Sequence, residues 1–134
     1  MKILSVDDHP LFGLGLKESL TATQPDFDVI SIQDPQKALT YAKTHSDLDI
    51  LILDLSMPQM DGISFMRALI ARDIYVPVVI MSASEDILVM QQALKLGAVG
   101  ILSKLWTVQQ LIDSIEKNRP GRNRYAPSYR NSTV

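Results

Sequence analysis

The stretch DILILDLSMPQMDG, residues 49–62, decides the fold. Asp49–Leu53 is apolar without alternation once past its first residue, the pattern of a strand buried on both faces of a parallel sheet. Asp54 ends that run, at the carboxyl end of the strand. Asp61 is placed to cap a following helix, with Met60 and Phe65 spaced for a hydrophobic staple and Ile63, Met66 and Ile70 as its buried stripe. A buried strand, an aspartate and a capped helix form one βα unit.

The same unit recurs on either side. Apolar runs at Lys2–Val6, Phe27–Ile32, Val78–Met81 and Val99–Leu102 alternate with helical patterns. Pro10 is placed as a first helical residue, followed by Phe12, Leu16 and Leu20 at helical spacing. Gly13 and Gly15 weaken that helix and point to close packing or a nearby site. Asp34-Pro35 reads as an N-cap with proline at the first helical position. Ser84 with Glu85 and Asp86 opens a fourth helix ending at Gly97. Thr107 and Gln110 form a capping box ahead of Leu111, Ile112 and Ile115. Regular βα alternation with right-handed crossovers predicts an α/β protein, a doubly wound five-stranded parallel sheet flanked by five helices.

Placing the strands in parallel brings their carboxyl ends to one edge, where open α/β sheets bind ligands. Asp7-Asp8 follow KILSV, Asp54 follows DILIL, Ser82 follows the fourth run and Lys104 follows VGILS. Three carboxylates in one pocket call for a cation, because like charges at close range disfavour joint ionisation. Mg²⁺ suits them: it takes one or two carboxylates, keeps several waters and accepts phosphate oxygens. The expected chemistry is phosphoryl handling. His9 is read as a helix-start residue rather than a ligand, His45 as a surface residue, and Trp106 as packing.

Composition bounds the alternatives. The chain has 134 residues, no cysteine and a net charge of −2, which suits one domain with neither disulfides nor thiolate metal sites. Residues 1–118 hold nine basic against 15 acidic side chains, a poor footprint for nucleic acid. Arg119, Arg122, Arg124 and Arg130 fall in a segment, 119–134, read as a basic linker or disordered tail. No run approaches membrane-spanning length and the apolar start is too short for a signal peptide, so a cytoplasmic protein without membrane contact is expected.

Residues 1–118 resemble, along their whole length, the CheY-like (flavodoxin-like) receiver domain of two-component response regulators. Asp7-Asp8, Asp54, Ser82 and Lys104 stand at the family's positions, and DLSMPQMDG carries Pro58 and Gly62 at the family's offsets. The DDHP start and the GLGLKESL segment are most similar to the NarL/FixJ (LuxR-type) group. The resemblance implies that Asp54 accepts a phosphoryl group from a sensor histidine kinase or phosphotransfer protein. It implies Mg²⁺ on Asp8 and Asp54, with Asp7 acting largely through metal-bound water and Ser56 offering its backbone carbonyl. Lys104 and the Ser82 hydroxyl would hold phosphate oxygens. It further implies a phosphorylation-dependent homodimer and transcription regulation, with DNA bound only through a C-terminal domain outside this chain. A stand-alone receiver acting by protein–protein contact is the second reading.

A Mg²⁺-dependent aspartyl phosphatase of the haloacid-dehalogenase kind would need a second aspartate two residues after the nucleophile, where this chain has Ser56. Three positions depart from the receiver pattern. Leu105 replaces the usual proline after the lysine, so Lys104–Leu105 is expected either trans with a shifted loop or strained, since a cis bond before a non-proline residue costs about 3 kcal/mol. Trp106 stands where Phe is usual. Ile101 takes the place of the switch aromatic. Ile87, Leu88, Val89 and Met90 span nearly a helical turn that one buried face cannot absorb, so Leu88, Val89, Met90 and Trp106 are expected on an output face.

Overall fold

The computed structural model describes residues 1–55, 57, 60–82 and 87–119. Five strands and five helices alternate: β1 Lys2–Val6, α1 Pro10–Thr23, β2 Asp28–Ile32, α2 Pro35–Thr44, β3 Ile50–Asp54, α3 Gly62–Ala71, β4 Val78–Ser82, α4 Ile87–Lys95, β5 Gly100–Ser103 and α5 Val108–Lys117. The strands form one parallel sheet in the order β2-β1-β3-β4-β5. β1 and β3 are thus central neighbours, which sets Asp7-Asp8 beside Asp54. Asp54 and Ser82 are the last residues of their strands rather than the first beyond them.

Side-chain alternation along the strands divides the core in two. Leu4, Val6, Leu51, Leu53 and Ile80 pack with α2, α3 and α4 through Leu39, Phe65, Met66 and Ala93. Ile3, Ile50, Ile52, Val79, Met81 and Leu102 pack against α1 and α5 through Leu16, Leu20, Leu111, Ile112 and Ile115. Every residue of β3 and β4 is buried, as their unbroken apolar runs require.

The local signals act as their chemistry demands. Asp34 accepts from Gln36 N–H and Asp61 from Ser64 N–H, each satisfying a helix donor that lacks an intrahelical partner. Thr107 and Gln110 close a reciprocal capping box. Gly13 lies so close to β2 that a Cβ there would stand 2.6 Å from Ser31 Oγ, whereas nothing crowds Gly15. Gly97 takes a positive φ of 113°, which ends the segment after α4.

Two expectations change and one open alternative closes. Ile70 is 54% exposed; α3 buries Ile63, Phe65, Met66 and Leu69, a stripe that leaves Ile70 on its flank. Trp106, read as packing, is 38% exposed beside an 83% exposed Leu105. Lys104–Leu105 is trans, in keeping with a non-proline residue at 105. The proposed opening of the fourth helix at Ser84–Asp86 lies outside the described residues, as do Ser56, Pro58 and positions 120–134.

Candidate functional site

Asp7 and Asp54 are each 2% exposed, an unusual burial for carboxylates, and both stand at the sheet's carboxyl edge. Lys104, just past β5, reaches across β4 to them. Its Nζ lies 3.2 Å from Asp54 Oδ2 and 3.4 Å from Asp7 Oδ2, with only 15% of the side chain exposed. The backbone fixes that reach: Lys104 N–H donates to the Ser82 carbonyl at 3.1 Å. The ammonium also sits 4.6 Å from the centre of the Phe12 ring, a cation–π contact that spacing alone did not reveal.

His9 belongs to the cluster, contrary to its reading as a helix-start residue alone. It is the N-cap of α1, but its side chain makes no capping bond. Asp7 Oδ1 instead accepts from both the His9 backbone N–H at 2.8 Å and its ring Nδ1 at 2.9 Å. Nδ1 is also 3.3 Å from Asp8 Oδ1 and 3.6 Å from Asp54 Oδ2. The hydrogen bond to Asp7, then the charges of Asp7 and Asp8, raise the His9 pKa above its ordinary value. The contiguous Asp-Asp-His was the available signal; the adjoining proline favoured the helix-start reading.

The donor set fits a divalent cation. One oxygen or nitrogen from each of Asp7, Asp8, His9 and Asp54 lies within 4.8 Å of all the others. Asp8 Oδ1 is buried without a hydrogen bond, its approach to His9 being an ion-pair distance only. A buried carboxylate oxygen without a partner is costly unless a cation or water completes it. Against three carboxylates, Lys104 supplies one positive charge. Two negative charges remain when His9 is neutral.

The other expected residues divide. Ser82 is 6% exposed, ends β4 and pairs in register with Ser103, one step beyond the Asp54–Met81 pair. Ser56 lies outside the described residues. Ile101 is half-buried on β5 and packs against the cluster that also receives Val89 and Met90. Leu88 is 77% and Ile87 63% exposed, so the four-residue apolar turn splits evenly between core and surface.

Residues 3–116 match the family model described as response regulator receiver domain. The glycerol metabolism activator of Pseudomonas putida is 40% identical over 126 residues, covering 94% of this chain and 57% of that protein. The receiver domain of the response regulator NarL from Mycobacterium tuberculosis superposes with a TM-score of 0.79 at 30% identity, covering 90% of this chain and 97% of that one. A Borrelia burgdorferi CheY, solved in a complex described as CheX-CheY-BeF3-Mg+2, gives 0.78 at 25% identity, covering 87% of each chain. This chain spans 57%, 49% and 59% of the lengths of the first curated regulators it matches. With its strand order, its acidic edge and this match over nearly all of its described length, the chain belongs to the response regulator receiver domains of two-component systems.

Proposed function

We propose that Asp54 is the phosphoacceptor of this receiver, taking its phosphoryl group from a histidine kinase or phosphotransfer protein. The observation carrying the proposal is the pairing of a nearly fully buried Asp54 with Lys104 at 3.2 Å, inside a pocket that also holds Asp7, Asp8 and His9. An Asp54 carboxylate oxygen attacks phosphorus. The new O–P bond forms as the donor's P–N bond breaks, and the departing imidazole takes up a proton. Phosphoryl transfer asks chiefly for positioning and for compensation of charge on the phosphoryl oxygens.

Asp7, Asp8 and Asp54 would hold Mg²⁺, which supplies charge neutralisation on those oxygens when bound. The Borrelia receiver complex containing BeF3 and Mg+2 supports that assignment by similarity. Lys104 holds the Asp54 carboxylate before reaction and, by proposal, follows the charge to a phosphoryl oxygen afterwards. Ser82 would offer its hydroxyl from the adjoining strand end. Since Lys104 is tied to Ser82 through the backbone, movement at either transmits to the segments before α4 and α5.

The surface reading those segments is proposed to be α4, β5 and α5. Ile87, Leu88, Leu94, Leu105 and Trp106 are exposed apolar residues of these elements and the turn between β5 and α5, suited to phosphorylation-dependent self-association. Control of a DNA-binding output region rests on the NarL-type relatives, and the reading of 119–134 as a basic linker or disordered tail rests on composition. Acetyl phosphate with Mg²⁺ should add one phosphoryl group by intact mass, and Asp54→Asn should abolish the gain. A full gain on that variant would place the acceptor elsewhere.

A further inference from the structure

We infer that His9 is a nitrogen donor to the divalent cation in this pocket, giving the site a stronger preference for borderline transition ions than carboxylates alone would confer. The inference rests on the pocket binding a divalent ion, as proposed above. Its basis is geometric. Neighbouring ligands about 2.0–2.2 Å from a shared ion stand about 3 Å apart. His9 Nδ1 lies 2.9 Å from Asp7 Oδ1 and 3.3 Å from Asp8 Oδ1, with Asp54 Oδ2 at 3.6 Å. One ligand atom from each of the four residues lies within 4.8 Å of the other three.

The imidazole is held for this purpose by the chain itself. Asp7 Oδ1 accepts the His9 backbone N–H, which folds the Asp-Asp-His turn back over the pocket, and α1 starts directly after it. The ring stays 58% exposed, so Nε2 can keep its proton toward solvent once the incoming ion displaces to solvent the Nδ1 proton that Asp7 Oδ1 accepts. A second observation points to the same missing partner: Asp8 Oδ1, the oxygen 3.3 Å from Nδ1, is buried and has no hydrogen bond. An ion bridging the two satisfies both atoms at once. Carboxylate and water suit Mg²⁺, whereas imidazole suits Zn²⁺ and its transition-metal neighbours. Mg²⁺ and Mn²⁺ therefore share the pocket with Zn²⁺ on unequal terms.

The test titrates Mg²⁺, Mn²⁺ and Zn²⁺ separately at neutral pH into the wild type, His9→Ala and His45→Ala, by calorimetry. Pulsed EPR of the Mn²⁺ forms records any coupling to ¹⁴N. His45 is the other histidine of the chain and controls for binding at the surface. Nitrogen coupling should appear in the wild type and in His45→Ala and vanish in His9→Ala. Zn²⁺ affinity should fall on the order of tenfold or more in His9→Ala, while Mg²⁺ affinity changes by less than about threefold. Nitrogen coupling that survives in His9→Ala overturns the inference, as does an equal weakening of Mg²⁺ and Zn²⁺ or a tightening of every ion. Mn²⁺ and Zn²⁺ binding with no contribution from His9 overturns only the inference. Failure of all three ions to bind the wild type overturns the reading of the pocket as well.

Discussion

Gly62→Ala and Gly15→Ala are the same substitution with opposite expected signs. Gly15 lies exposed within α1 with nothing near its would-be Cβ, so alanine should recover about 0.5–1 kcal/mol of helix propensity. Gly62 is the first residue of α3, where that gain is smaller, and its space is taken. A Cβ there would stand 2.6 Å from Leu55 Cδ2, 2.8 Å from Leu55 Cα and 3.2 Å from the Asp54 carbonyl oxygen. The Leu55 side chain can turn aside, but its Cα cannot move without disturbing the neighbouring Asp54, the proposed phosphoacceptor. Overpacking of this kind costs about 1–3 kcal/mol. The variants should therefore differ by about 1.5–4 kcal/mol in urea unfolding, near 4 °C in melting temperature per kcal/mol. The Gly62 N–H bond to the Leu55 carbonyl at 3.1 Å lengthens in the same movement, so Gly62→Ala should also take up phosphoryl groups more slowly. A Gly62→Ala protein as stable as the wild type, or a destabilised Gly15→Ala, would refute the packing argument.

Lys104→Ala should accept a phosphoryl group from acetyl phosphate on the order of tenfold or more slowly, because the ammonium facing Asp7 and Asp54 is gone. Its phosphorylation-dependent self-association should be weak; an undiminished response, measured by light scattering, would remove Lys104 from the switch. Leu88→Asp should reduce that association and leave Asp54 labelling intact, whereas Val89→Asp should lower stability, since Val89 packs against the core. Equal stability of the two variants by urea unfolding would contradict this split. Arg119, through Glu116 and Asp26, ties the end of α5 to the turn before β2. Asp26 is held below the ordinary aspartate value of 3.8, first by Gln24 and then by Arg119. A depressed folded pKa contributes stability above the unfolded value that is lost as pH falls through the folded one. Arg119→Ala should therefore raise the Asp26 pKa in a carboxyl NMR titration and shrink that loss at acid pH. An unmoved titration would show that the tie is absent in solution.

The sheet was legible because parallel strands buried on both faces spell continuous apolar runs, and β1 matches its expected bounds residue for residue. Strand ends slipped by one at Asp54 and Ser82, since backbone pairing does not stop where hydrophobicity does. The misplacement of Ile70 has a plain cause: α3 is apolar on more than one side, and only neighbouring helices decide which side is buried. The pocket was legible in its carboxylates and lysine and opaque in its aromatic members. Strand-end position placed Asp7, Asp8, Asp54 and Lys104 together. Phe12 reaches Lys104 from α1, and no sequence periodicity records a contact between a helix start and a loop almost a hundred positions away. His9 was hidden by ambiguity, because a residue before a helix-starting proline is an N-cap on backbone grounds whatever its ring does.

The central claim is that Asp54 carries the phosphoryl group. Borohydride reduction of the protein after reaction with acetyl phosphate and Mg²⁺ converts the modified aspartate to homoserine, which peptide mass spectrometry locates by residue. The account predicts homoserine at position 54 alone, absent when Mg²⁺ is chelated. Homoserine at Asp7 or Asp8 with Asp54 intact would contradict it.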